Sequence, residues 1–251
     1  MSAISMSSAI SALGTDAPLS ERIAQLPWTQ LASDLDATGT ARVPALLSGS
    51  ECAAVAATYG RADLFRSRIN MAQHGFGCGE YQYYAYPLPA LVQELRRGLY
   101  PPLALIANRW HEALQLPTRF PSEHSAFLEH CHRAGQRRPT PLLLRYTGGD
   151  FNCLHQDLYG EQVFPLQLTL LLSQPRIDFY GGEFVVTEQK ARAQSRVEVV
   201  PLERGDAIIF ASRHRPGQGA RGMHRLTMRH GVSRLRDGER YSLGIVFHDA
   251  Q

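Results

Sequence analysis

The chain has almost no lysine: Lys190 is the single one among 26 basic residues, and the rest are arginine. An arginine-only set reflects genome base composition as readily as phosphate recognition, and without a map of its location it marks no phosphate-binding face. The net charge of +3 is too small to demand a polyanionic partner, although it leaves a mildly basic surface. No uninterrupted apolar run approaches the roughly 18 residues of a membrane span, so no membrane partner is expected. Cysteine is scarce and scattered. Cys52, Cys78, Cys131 and Cys153 form no CxxC pair, which argues against a disulfide framework or zinc knuckle and for free thiols in a reducing cytoplasm. The first eighteen residues lack the basic start and sustained apolar stretch of a signal peptide. They read as a disordered tail, and a cytoplasmic location is expected. Internal repeats are also missing.

What remains is enough for one substantial core. With 251 residues, 44% of them hydrophobic, the chain reads as a disordered tail over 1–18 and a single domain over 19–251. That domain divides into a helical part, 19–140, and a β-rich core, 141–251. In "LSERIAQLPWTQLASDLDATG" apolar residues fall at helical spacing, and Pro27 opens a second short helix that carries Trp28, Leu31 and Leu35 and ends at Gly39. A brief strand and turn follow, then a helix from Ser48, where Ser48 and Glu51 have capping-box spacing. The segment "HGFGCGEYQYYAYPLP" interleaves glycines with aromatics and suits a strand pair or a mobile loop. A helix is predicted over 89–114, with Leu91, Leu95, Leu99, Leu103 and Ile106 on its buried side and an interruption or kink at Pro101 and Pro102. "HCHRAGQRRPTP" reads as loop.

From Pro141 onward the pattern changes to eight short strands broken by glycine turns: "LLLRYT", "CLHQDL", "FPLQLTLLLS", "GGEFVVTE", "RVEVVPL", "DAIIFAS", "HRLTMRHGV" and "RYSLGIVFH". Such spacing predicts a sandwich or jelly-roll barrel. On the second of these strands, residues two apart share a face, so His155 and Asp157 project together. His-x-Asp alone is common. A later strand ends in His230 and another opens with Arg240 and Ser242. Where those ends meet, two imidazoles and one carboxylate cover one face of a metal and leave the opposite positions open. The Arg240 guanidinium can grip a carboxylate through paired hydrogen bonds, with the Ser242 hydroxyl as a further donor. Asp237 and Gly238 are expected to form the turn that carries the chain between sheets before that strand begins.

His155-x-Asp157, then His230, then Arg240-x-Ser242 after nine intervening residues, resembles the signature of the Fe(II)/2-oxoglutarate-dependent dioxygenases. "GGEFV" and "RGDAIIF" resemble strands that flank the site in the prolyl-hydroxylase-like branch. Nearly the whole chain after the tail, including "HGFGCGEYQYY", "PTPLLLRYTGGDFNCLHQDLYGE" and "LGIVFHDA", is similar to an uncharacterised bacterial family of such oxygenases, predicted by analogy with AlkB-like demethylases to act on alkylated nucleic acids. The resemblance implies a double-stranded β-helix, an all-β jelly-roll core with the N-terminal helices packed on it. It implies Fe(II) on His155, Asp157 and His230, 2-oxoglutarate with its far carboxylate on Arg240, and O2 as oxidant. A substrate would be hydroxylated or oxidatively demethylated with release of succinate and CO2. Tyr146 takes the place where related enzymes set a tyrosine against the cosubstrate, and Asn152 is a second contact of that kind. The chain departs from the AlkB-like pattern at Ser242 and Val246, where those enzymes carry Asn and Arg, and at Leu144, where they carry Asn.

Substrate contacts are less constrained. Tyr81 and Tyr83 can cover the site and stack on a planar base, or simply alternate along a half-buried strand. Arg213 and His214 belong to an arginine-rich loop that either grips an anionic substrate or is a solvated basic surface. A small-molecule or amino-acid substrate and an alkylated nucleobase, with nucleic acid as partner, both stay open, as does the oligomeric state. A jelly-roll that only binds a ligand would be expected to lack a metal ligand, and all three are present.

Overall fold

A computed structural model describes residues 17–219 and 222–251. The tail expected over 1–18 lies outside the described residues apart from Ala17 and Pro18, which lead straight into the first helix. The helices are α1 (Leu19–Ala24), α2 (Trp28–Thr38), α3 (Gly49–Ala57), α4 (Ala90–Ala113) and α5 (His124–Arg133). The strands are β1 (Thr40–Val43), β2 (Phe65–Asn70), β3 (Gly77–Cys78), β4 (Glu80–Tyr84), β5 (Leu142–Thr147), β6 (Phe151–His155), β7 (Leu166–Leu171), β8 (Phe179–Gly181), β9 (Phe184–Gln189), β10 (Arg196–Val200), β11 (Ala207–Ala211), β12 (His214–Gly219), β13 (Gly222–Val232) and β14 (Leu235–Ile245).

The strands form two antiparallel sheets. The larger runs β1-β11-β7-β14-β5-β4-β2, with β8 on β14; the smaller runs β10-β9-β13-β6-β3, with β12 on β13. From β5 onward the chain crosses repeatedly between them, β5 in one, β6 in the other, β7 back in the first, with hairpins β9–β10 and β12–β13 inside the smaller sheet before β14 returns to the larger. This is the expected double-stranded β-helix with helices packed on it. Among the described residues no helix is long and apolar enough to cross a membrane.

Local signals account for the helical front. Ser48 accepts from the Glu51 amide while Glu51 returns to the Ser48 amide, so the capping box is closed at α3. Gly39 ends α2 in the left-handed region, φ +77°. Three expectations are corrected. α4 continues unbroken through Pro101 and Pro102, because Leu95, Leu99, Leu103 and Ile106 are buried on both sides of the lost hydrogen bonds. The stretch read as loop at His130–Arg133 is instead the last turn of α5, which buries His124, Phe127 and Cys131 at helical spacing. Asp237 and Gly238 form no connection before the last strand: they lie inside β14, paired with β8 across a register shift, and Gly238 takes φ +84° there. The chain changes sheets at Ser233 and Arg234 instead.

The C-terminal end is tied down by a buried hub. Asp249 and Arg96 are both fully buried and paired at 2.8 Å, and Asp249 also takes His132 Nε2 at 2.9 Å and the Tyr86 hydroxyl at 3.1 Å. Removing one member strands a charge, so Arg96→Leu is expected to cost about 3–5 kcal/mol, read as a lower urea midpoint. Two further histidines are buried without an acid. His124 Nε2 donates to the Phe247 carbonyl, 2.8 Å, and the Phe164 amide donates to His248 Nδ1, 3.2 Å. Burial, with the Arg96 charge nearby, pushes both down to about 4. Protonation is therefore easier in the unfolded chain, near pH 6.5. The stability these groups contribute is complete above that value and is lost as the pH falls toward 4, on the order of 3 kcal/mol per histidine at most. A urea midpoint that drops across this window checks it.

Candidate metal centre and cosubstrate pocket

His155 ends β6 and lies directly opposite His230 of β13 in the antiparallel register. Direct cross-strand partners leave the sheet on the same face, and the two imidazole rings stand 4.2 Å apart. Asp157 reaches them by a different route from the one expected. β6 ends at His155, so the pleat does not aim Asp157; the connecting segment delivers it. Its Oδ1 lies 3.5 Å from His155 Nε2 and its Oδ2 lies 3.3 Å from His230 Nε2. One ligand atom from each residue falls within 4.8 Å of the others, and this is the one such group among the described residues.

Electrostatics favour the metal-ready forms of Asp157 and His230. Burial alone would raise the Asp157 carboxyl, but the adjoining imidazoles outweigh it and hold the group well below the usual carboxylate range. Burial lowers His230, with the His155 ring adding to the effect. His155 is pulled down by burial and up by Asp157 and the Cys153 carbonyl, and the second influence wins. His155 Nδ1 meets the Cys153 carbonyl at 2.8 Å, which orients the ring and leaves Nε2 facing its partners.

The cluster sits on the wall of a cavity of about 180 Å³ between the sheets, lined also by Tyr81, Tyr146, Asn152, Gln167 and Ser242. Phe210 and Phe184 back His230, with ring centroids at 4.6 and 6.0 Å. Arg240 lies one hydrogen bond deeper, its Nη1 donating to Ser242 Oγ at 3.1 Å. Its guanidinium is 1% exposed, flanked by the rings of Tyr146 and Phe179 at 5.6 and 5.8 Å. No carboxylate among the described residues pairs with it, and Nε has no partner. Burying a guanidinium without a paired counter-charge is costly, and an anion held beside it and Ser242 would relieve that cost. Tyr146 is the cross-strand partner of Arg240, fully buried, and receives a hydrogen bond from Asn152 Nδ2 at 3.4 Å. Desolvation pushes its phenol up to about 12. Two imidazoles and a carboxylate suit Fe(II), and the partnerless Arg240 beside Ser242 suits the distal carboxylate of a diacid, so the residues present fit both groups.

The remaining expected contacts divide. Tyr81 lines the cavity. Tyr83 does not: it is 8% exposed and packed edge-on against two lining residues, Tyr81 and Tyr159, at 5.3 and 6.1 Å, which cover it. Arg213 and His214 also fall elsewhere. They line a second cavity with Trp110, His111 and Leu158, since the supposed loop is a β12–β13 hairpin that runs away from the cluster. Two residues escaped the sequence reading. Tyr159 and Gln167 donate to Asp157 Oδ1 and Oδ2 at 2.5 and 2.9 Å. Gln167 did leave a signal, a polar amide inside the apolar run of β7; Tyr159, in a loop, left none.

Comparison with known proteins agrees with this geometry. Residues 79–250, well over half the chain, match the family Oxygenase-NA, described as an oxygenase catalysing oxidative methylation of damaged DNA. Uncharacterised proteins of two Mycobacterium tuberculosis strains are 46% identical over 164 residues, covering 65% of this chain and 70% of theirs. An oxidoreductase of the 2OG-Fe(II) oxygenase family from Burkholderia pseudomallei superposes with TM-score 0.53 at 18% identity, over 89% of this chain and 92% of that one. A Pseudomonas putida prolyl-4-hydroxylase gives 0.50 at 16%, over 86% and 96%. These two likenesses concern the fold. The family match extends to the chemistry: the chain belongs to Oxygenase-NA and is an enzyme, an oxygenase.

Proposed function

We propose that His155, Asp157 and His230 hold Fe(II), that Arg240 and Ser242 hold the distal carboxylate of 2-oxoglutarate with Tyr146 and Asn152 against it, and that the substrate is an alkylated nucleobase. The observation that carries this reading is a two-imidazole, one-carboxylate cluster that shares one small cavity with Ser242, the hydroxyl to which the buried Arg240 donates. When bound, the iron and cosubstrate supply an oxidant able to hydroxylate a C–H bond with release of succinate and CO2. The chain's part is binding and orientation. The imidazoles present Nε2 and leave the cavity side free, Arg240 and Ser242 fix the diacid's direction, and the apolar walls exclude water. Hydroxylation of an N-methyl carbon leaves a hemiaminal that releases formaldehyde and the unmodified base. Phe76, 48% exposed, on the cavity lining and stacked on His74 at 5.4 Å, offers a planar apolar surface on which a base can stack. The family description, damaged DNA, supports the same substrate.

A second reading, a small-molecule or amino-acid substrate, rests on Leu144 and Val246. Both line the cavity with apolar side chains where AlkB-like demethylases carry polar ones. Incubation with Fe(II), 2-oxoglutarate, O2 and methylated single-stranded DNA separates the two. Succinate matched by methyl loss is the expected result, with DNA binding that weakens as salt rises. Succinate formation indifferent to the DNA would transfer the assignment to the second reading.

A further inference from the structure

The Asp157 carboxylate is the one member of the cluster that no strand aims. Each imidazole sits on a ladder whose register sets its direction, whereas Asp157 lies two residues past the end of β6. A carboxylate in a connecting segment keeps one orientation only when its neighbours impose it. We propose that Tyr159 and Gln167 are the positioning pair for this ligand, one donor to each oxygen, an inference that rests on the metal reading above.

The two donors arrive from opposite sides. Gln167 projects from the second position of β7, where it pairs with Phe210 of β11, and is 2% exposed among Leu166, Leu168, Leu170 and Leu171. Ionised carboxylates only accept hydrogen bonds, so the NH2 end of the Gln167 amide must face Asp157 Oδ2, 2.9 Å away. Tyr159 follows Asp157 in the same segment and turns its hydroxyl back to Oδ1 at 2.5 Å. Its ring is held in turn by Tyr83 and His248, with centroids at 6.1 and 5.9 Å. Tyr83 meets Tyr81, so an aromatic tier that includes the lining residues Tyr81 and Tyr159 ends on Asp157. The segment's backbone is pinned one residue earlier, where Gln156 Nε2 donates to the Met228 carbonyl at 2.8 Å. With one donor on each oxygen, each keeps a lone-pair direction, and the two oxygens face the imidazoles, Oδ1 toward His155 and Oδ2 toward His230.

Mn(II), which binds such sites without turnover, is the probe, in anaerobic calorimetry with 2-oxoglutarate on the full chain. Tyr159→Phe and Gln167→Leu are each expected to weaken Mn(II) binding about 10- to 100-fold, the usual effect of losing a partner that orients a ligand. Gln82→Leu is the matched control. It removes another buried amide, bonded to the Tyr59 carbonyl at 2.8 Å, and should lower the melting temperature while leaving Mn(II) affinity unchanged. Tyr159→Phe keeps its ring and decides alone should Gln167→Leu not fold. Unaltered Mn(II) affinity in the folded variants overturns the proposal, and so does an equal loss in Gln82→Leu, which would reduce the effect to general destabilisation. Failure of the unsubstituted protein to bind Mn(II) is a separate result that removes the metal reading itself.

Discussion

His155→Ala is expected to reduce 2-oxoglutarate turnover by more than about 100-fold, beyond what the loss of an orienting partner costs, while the protein stays folded. The separation follows from where each ligand sits. His155 is at the cavity rim, with a third of its side chain exposed, and its one hydrogen bond is to the neighbouring Cys153 carbonyl. Its removal takes away a proposed metal ligand and little packing. His230→Ala would confound the two effects, because that ring is wedged against Phe210 and Phe184 and its truncation leaves a cavity in the core. Succinate release and thermal melting, measured on the same His155→Ala preparation, check the prediction. Retained turnover would show that the oxidation does not use this histidine.

Arg240→Met is expected to act in opposite directions on binding and on stability. Truncating one side of a buried charge pair costs about 2–5 kcal/mol, roughly 30- to several-thousand-fold in affinity for 2-oxoglutarate. In the ligand-free protein the guanidinium has no acid partner, an unpaired Nε, and a pKa lowered by burial. A linear apolar side chain of similar length relieves that cost, so the ligand-free variant should melt at or above the temperature of the parent. Arg240→Lys keeps the charge but loses the paired donors, and an intermediate affinity is expected. Calorimetry with 2-oxoglutarate and thermal melting without it give both numbers. A strongly destabilised Arg240→Met with unchanged affinity would mean that the arginine is structural.

Much of this centre was legible in the sequence because its parts obey short-range rules. Arg240 and Ser242 share a face through the two-residue period of a strand, and their hydrogen bond bears this out. The capping box at Ser48 is a four-residue pattern and formed as written. Other parts depend on distant pairing. That His230 stands opposite His155 is a matter of β13–β6 register, which no local pattern encodes; only the motif resemblance suggested it. Asp157 shows the limit most clearly, since the pleat was extended past the true end of β6 and the carboxylate reached the cluster from a loop steadied by Tyr159 and Gln167. α5 hid behind its polar surface, for its buried face is one residue per turn and no side chain caps its start. Arg213 and His214 were placed by closeness in sequence to the metal strands, and the hairpin carried them to another cavity.

The most direct measurement is a crystal structure of the full chain grown anaerobically with Mn(II) and 2-oxoglutarate. The account predicts one metal bonded to His155 Nε2, His230 Nε2 and an Asp157 oxygen, with the diacid reaching from that metal to Arg240 and Ser242. A metal bound away from these three side chains, or a diacid whose distal carboxylate avoids Arg240, would contradict it.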